Sequence, residues 1–103
     1  ALARGLGDVY KRQLECEVKF AKYQHNNRTA IELVDAEDGE PIAIATTNLV
    51  NEQLAEGEIA IKDYFGNEGM LHCLVNAKIV SLPSRYVSMG FVQIPICKIL
   101  IKQ

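Results

Sequence analysis

The chain has 103 residues, with 11 Lys and Arg against 13 Asp and Glu and a formal net charge of −2 at pH 7. This length fits one domain, and a slightly acidic chain lacks the positive field that binding to nucleic acid or an anionic membrane needs. No apolar run approaches the roughly 20 residues of a membrane span. We therefore expect a cytoplasmic protein that binds neither nucleic acid nor a membrane.

The first thirteen residues differ in character from the rest. Residues 8–13 (DVYKRQ) match one reading frame of a transposon-end adaptor used in sequencing libraries, and residues 4–7 fit the adjoining primer in the same frame. Such segments are excluded from fold reasoning. The alternative is a natural flexible N-terminus. We expect residues 1–13 to be a disordered, non-native leader, and residues 14–103 to form one domain with a net charge near −4.

The sequence of the first half of the domain predicts four strands. Residues 14–20 alternate strictly between apolar and polar side chains, which is typical of a strand with one buried face. A turn cluster at 24–28 and a second strand at 29–34 follow, and Asp38-Gly39 is a hairpin signal. Pro41 opens a third strand, so these three strands predict an antiparallel meander. An acidic connection (48–57) leads to a fourth strand at 58–63.

The second half predicts one helix between strands. Four apolar residues recur at helical spacing, with Asn67 as the expected N-cap: Met70, Leu71, Leu74 and Val75. A fifth strand is expected over 86–94, with Val87, Met89 and Phe91 on one face, and a sixth over 96–101. Pro95 between them indicates a break or an exposed edge. The order β-β-β-β-α-β-β predicts an α+β fold, in which a sheet of five to six antiparallel strands carries one short helix on one face.

The cysteines and standard motifs give little sign of chemistry. Cys16, Cys73 and Cys97 are odd in number and far apart, so reduced thiols are expected, with Cys16 and Cys97 in the core. His72-Cys73 lacks the spacing of a metal site. The glycine-rich phosphate loops and the common hydrolase motifs are absent. We therefore expect no catalytic residue, no metal ligand and no cofactor.

Two segments are less typical of scaffold. The first lies at the junction between the fourth strand and the helix, and the second begins the fifth strand. Charged side chains, aromatic rings and helix-end amides together suit a nucleotide-like anion. If the segments meet, they form one ligand pocket made of Lys62, Asp63, Tyr64, Asn67, Glu68, Arg85 and Tyr86. The alternative is that Tyr64 and Phe65 belong to the core and Arg85 is solvated.

From Lys22 onward the sequence resembles a family of small uncharacterised proteins from phages and conjugative elements of gut bacteria. Several short segments carry the resemblance: 22–23 (KY), 28–31 (RTAI), 40–44, 60–64 (AIKDY), 67–70 (NEGM), 85–87 (RYV), 90–91 (GF) and 94–97 (IPIC). The resemblance brings no known activity. It implies a mobile-element protein, and such elements carry many small proteins that block host defence.

Three functions follow as hypotheses. The first is a non-enzymatic accessory protein that binds a host protein or sequesters a nucleotide-like signal, and so inhibits host defence. The second is a structural or assembly module, a homodimer that pairs through an edge strand at 96–101. The third is an enzyme, which rests only on Asp63, Glu68 and His72 near one junction.

Overall fold

The computed structural model describes residues 2–7 and 13–101 of the chain, with burial assigned to residues 15–101. Within these ranges the elements, in chain order, are β1 (Leu2–Gly7), β2 (Gln13–Lys22), β3 (Thr29–Asp35), β4 (Pro41–Ile44), β5 (Glu58–Ala60), α1 (Met70–Asn76), β6 (Arg85–Met89) and β7 (Val92–Lys98). From β2 onward this is the predicted order β-β-β-β-α-β-β, and the predicted α+β class is confirmed.

The strands form two antiparallel sheets where one was expected. The first has the order β1-β2-β3-β4 and the second the order β5-β7-β6. A single bridge between Thr46 and Ile61 connects them, and the N–H of Lys62 donates to the Ala45 oxygen at 2.8 Å. The sequence predicted the order of the strands and the helix but not this division, because it depends on the chain leaving the first sheet after β4.

The leader differs from expectation over Leu2–Gly7, which form strand β1 instead of being disordered. This strand pairs antiparallel with β2, and Ala3 lies opposite Cys16. The physical reason is that an edge strand offers unpaired N–H and C=O groups to any extended segment, whatever its side chains. Residues 8–12 lie outside the described residues, and the adaptor origin of the leader stays a prediction.

Strands β2 and β3 build the first layer of the core as their alternation predicts. Val18 pairs with Leu33 and Phe20 with Ile31. Cys16, Val18, Ile31 and Leu33 are buried and Phe20 packs against them, while Lys19 is exposed. Burial of one face of a twisted antiparallel sheet provides the apolar area that stabilises a small domain.

Helix α1 lies against this layer and against the second sheet. Met70, Cys73 and Leu74 are buried on the helix, in the same cluster as Ile59, Ile61 and Cys97 of the second sheet. The predicted apolar stripe of the helix is therefore confirmed, as is burial of Cys16 and Cys97. Within the described ranges, no helix has the length and apolar character needed to cross a membrane.

The β6–β7 hairpin corrects the predicted fifth strand. Met89 pairs with Val92, so Gly90 and Phe91 form a two-residue turn within the range predicted as continuous strand. Gly90 has φ of 61°, a conformation that two-residue hairpin turns favour and glycine adopts without steric cost. Phe91 was expected to share one strand face with Val87 and Met89, but it lies in the turn and its side chain is fully exposed.

Strand β7 corrects the expectation for Pro95 and for the sixth strand. β7 lies between β5 and β6, and its residues 94–97 are all buried. Pro95 therefore marks neither a break nor an exposed edge. The N–H of Ile61 donates to the Pro95 oxygen at 3.0 Å, but proline cannot return this bond. The N–H that proline lacks would have faced Ile61, which follows the last residue of β5, Ala60. Little pairing between the strands is therefore lost.

The same topology rules out the expected route to a homodimer. Ile96, Cys97 and Lys98 pair with β5 on one side, and Ile96 pairs with Arg85 of β6 on the other. A central strand has no free edge to offer a second molecule. Pairing through residues 96–101 is therefore wrong for Ile96–Lys98, and in this sheet the edge strands are β5 and β6.

Candidate functional site

The predicted junction segment is a cap for helix α1. The Asp63 carboxylate accepts a hydrogen bond from the N–H of Leu71 at 3.0 Å, and the Met70 N–H donates to the Asn67 oxygen at 3.0 Å. The N-cap residue is Gly69, with φ of 94°, and its position offers no side-chain cap. Asn67 as N-cap is therefore wrong, and Asp63 supplies the acceptor that capping needs.

Asn67 and Glu68 hold the loop in place. The Asn67 amide donates to the Ile44 oxygen at 2.7 Å, which fixes the loop to the end of β4. The Glu68 carboxylate accepts from the N–H of Gly66 at 2.9 Å. Both predicted ligand-binding side chains thus make local contacts with the main chain.

The two aromatic residues of the junction differ in their burial. Tyr64 packs against the second core cluster, made of Ala60, Ile94 and Ile96. Phe65 is exposed and meets the Tyr64 ring edge-on, at 5.1 Å between centroids. The Lys62 ammonium lies 5.9 Å from the Tyr64 centroid, at the outer limit of a cation–π contact. The core alternative thus fits Tyr64 and fails for Phe65.

Arg85 contacts the acidic connection rather than the helix junction. Its guanidinium donates to the Gln53 oxygen at 2.8 Å. It also lies 3.6 Å from the Glu52 carboxylate and 3.5 Å from the Glu58 carboxylate. Arg85 is therefore paired, and it ties β6 to the connection that precedes β5.

Glu58 has a second partner in the same place. The N–H of Ala55 donates to its carboxylate at 2.8 Å. This hydrogen bond, with the positive charge of Arg85 as a smaller cause, holds the pKa of Glu58 below its ordinary value of 4.5. Donors that favour the ionised form act in this direction.

The two predicted segments make different polar contacts, and among the described residues no hydrogen bond or ion pair joins them. The junction residues contact β4 and the helix, and Arg85 contacts residues 52–58. Tyr86 is exposed on the opposite face of β6 from Arg85, because successive side chains of a strand alternate. The nucleotide-like pocket was predicted from residue types, which carry no information on these contacts, and it stays a prediction.

A different surface lies along β6. A groove of about 360 Å³ runs between the acidic connection and the strand, and we call it the β6 groove. It is lined by Asn48, Leu49, Val50, Asn51, Glu52, Val87, Ser88 and Met89. Val50 and Met89 are exposed at its rim, and Phe91 extends from the hairpin turn just beyond.

Sequence reasoning did not find this surface, because Val87, Met89 and Phe91 were predicted to share one face of a continuous strand. The signal that could have found it is the dipeptide Gly90-Phe91, since a glycine with positive φ turns a hairpin and leaves its neighbour at the tip. We call Val50, Met89 and Phe91 the hairpin-tip surface.

Within residues 2–7 and 13–101, no group of three or more His, Cys, Asp or Glu side chains is placed to hold a metal ion. His72 lies beside Asn76, with 2.9 Å between the His72 Nε2 and the Asn76 amide nitrogen. Comparison of the chain with protein-family models, curated proteins and solved structures found no match.

Proposed function

We propose that this chain is a non-enzymatic accessory protein of a phage or mobile element, which binds a host protein in the cytoplasm. The observation that carries the proposal is the hairpin-tip surface. Phe91 is fully exposed at the hairpin turn, and Val50 and Met89 are exposed along the β6 groove that ends near it in sequence. Aromatic and methionine side chains are enriched in protein interfaces, and grouped apolar exposure is typical of a contact surface.

The arrangement of the junction favours a protein partner over a nucleotide-like ligand. The amide of Leu71 at the start of α1 already has the Asp63 carboxylate as its acceptor. A negative charge at this position repels an incoming phosphate. Arg85, the cation expected to neutralise such a ligand, is engaged by Glu52 and Glu58.

The same contacts give little support to catalysis. Asp63 and Glu68 are acceptors for main-chain N–H groups. A general base is available for chemistry when its acceptor atoms can reach a substrate proton. These two carboxylates act locally instead, one on the helix and one on its loop.

The test is capture of host proteins by immobilised chain, with quantitative mass spectrometry of what is retained. The informative variant is Phe91→Ser, and Phe65→Ser is a matched control because Phe65 is also an exposed aromatic residue. We expect a host protein that wild type and Phe65→Ser retain equally and that Phe91→Ser loses by more than about tenfold. Equal retention by all three proteins would contradict the proposal.

The signal-sequestering version is tested separately by calorimetry against a panel of cyclic nucleotides and ADP-ribose derivatives. We expect no heat of binding from a sample whose fold is verified by circular dichroism. Saturable heat with any of these ligands would favour sequestration over binding to a protein.

A further inference from the structure

Strand β6 has an open edge. It pairs with β7 on one side and is the last strand of the second sheet. Edge strands present a row of unpaired main-chain groups, and proteins usually cover, shorten or charge them. The outer main-chain groups of β6 are therefore available to a further strand.

The pairing pattern identifies which groups face outward. The N–H of Ile99 donates to the Gly57 oxygen and the N–H of Ile61 to the Pro95 oxygen, so odd-numbered residues of β7 direct their main-chain groups to β5. Even-numbered residues then face β6, because these groups alternate along an antiparallel strand.

The partners of those residues on β6 are Arg85, Val87 and Met89. The N–H and C=O groups of Tyr86 and Ser88 consequently point away from β7. Among the described residues they make no main-chain hydrogen bond outside the sheet. The edge thus offers two residues with free donors and acceptors, spaced as in an ideal strand.

From this geometry we infer that β6 pairs with β6 of a second copy of this chain, antiparallel and about a two-fold axis at Val87. In this register Tyr86 lies opposite Ser88 of the second copy, and each exchanges N–H···O bonds with the other. A two-fold interface places the same patch on both molecules, and β6 fits because its outward-facing residues lie symmetrically about Val87.

The charge pattern of β6 is compatible with a second copy as the occupant. The only charged residue of β6 is Arg85, and the two-fold register places it opposite Met89 of the second copy. Like charges directly opposite each other across paired strands are unfavourable, and this register places no charged residue of β6 opposite another.

This inference goes beyond the proposed function and rests on different groups. Dimerisation depends on the main chain of Tyr86 and Ser88, whereas binding to a host protein depends on Phe91. Phe91 lies beyond the end of β6 and is not among the residues that pair in this register, although Met89 of the hairpin-tip surface is. An experiment can therefore contradict binding to a host protein without contradicting dimerisation, and can contradict dimerisation without contradicting binding to a host protein.

Sedimentation equilibrium of the full chain over a micromolar-to-millimolar range tests the inference. The variant is Ser88→Pro, which removes an outward N–H that β7 does not use, and Ser88→Ala is the control that keeps it. We expect wild type and Ser88→Ala to dimerise alike, and Ser88→Pro to lose more than about tenfold in association constant. A wild type that stays monomeric throughout, or a folded Ser88→Pro that dimerises like wild type, would overturn the inference.

Amide hydrogen exchange on wild type keeps the inference testable if Ser88→Pro does not fold. The amides of Tyr86 and Ser88 should become protected as concentration rises through the dimerisation range. Rapid exchange of both amides at concentrations where the protein is dimeric would place the interface elsewhere.

Discussion

The Asp63 carboxylate accepts the N–H of Leu71 at 3.0 Å, eight residues further along the chain. An acidic residue before the loop thus caps a helix whose own N-cap position is a glycine. Asp63 was predicted to bind a ligand, but in the structure its carboxylate stabilises the start of the helix. The contribution of this contact to stability can be measured.

We expect Asp63→Ala to reduce the free energy of unfolding by about 1 kcal/mol, the usual effect of losing a capping acceptor. Asp63→Asn keeps an acceptor oxygen and should lose less. Chemical denaturation of the three proteins provides the measurement. An Asp63→Ala variant as stable as wild type would mean that the contact with Leu71 does not contribute.

Arg28 is expected to be more important for stability than its surface position suggests. Its guanidinium donates to the Leu49 oxygen at 2.6 Å and to the Glu52 oxygen, and so holds the acidic connection. Arg28→Ala should cost about 2 kcal/mol, since bonds from a charged donor are worth more than neutral ones. Lysine has no planar fork of donors that can bind two carbonyls at once. The free energy of unfolding of Arg28→Lys, measured in urea, should therefore lie between those of wild type and Arg28→Ala.

Glu58 should make stability depend on pH. Because its pKa lies below the ordinary 4.5 in the folded protein, the unfolded chain binds this proton more readily. The contribution is therefore complete above the ordinary value and is lost as the pH falls through the lowered one. The stability difference between wild type and Glu58→Gln should be larger at about pH 7 than at about pH 3.

The control for that experiment is Glu37→Gln, because Glu37 is an exposed carboxylate of the turn between β3 and β4. This substitution removes one negative charge, as Glu58→Gln does, but keeps the Glu58 contacts with Ala55 and Arg85. A gap between wild type and Glu58→Gln that grows on acidification would contradict the assigned direction.

The cysteine thiols should react slowly in the folded protein. All three are buried, and burial raises the pKa of Cys97 to about 11. Burial is also the main cause that raises the pKa of Cys16, with Cys73 and Asp35 adding to it. At about pH 8 roughly one Cys97 thiol in a thousand is ionised.

A thiol-specific chromogenic reagent measures this directly. Unfolded protein should release colour for three thiols at once, and native protein only as fast as it opens. One thiol that reacts immediately in the native state would show that a cysteine is accessible.

The alternation of apolar and polar residues was sufficient to predict β2, β3 and the first core layer. Val18, Ile31 and Leu33 are buried as their spacing indicates. The period of two was misleading at Phe91, because Val87, Met89 and Phe91 continue it across a turn. The pairing of Met89 with Val92 shows that the strand ends before Gly90.

The contacts of Arg85 could not be predicted in the same way. Its partners, Gln53, Glu52 and Glu58, lie in the acidic connection and at the start of β5, far from it in sequence. No local pattern relates β6 to that connection. The residue types suited to a binding site were identified from the sequence, but their positions depend on how β5, β6 and β7 pair in the second sheet.

That closure has a kinetic consequence. β5 pairs with β7 only after α1 and β6 have intervened in the chain, whereas β2, β3 and β4 are joined by short turns. Contacts between residues distant in sequence form slowly, because loop entropy is lost before pairing is gained. The hairpin of β2 and β3 should therefore be structured early in folding, and the docking of β5 onto β7 should set the overall rate.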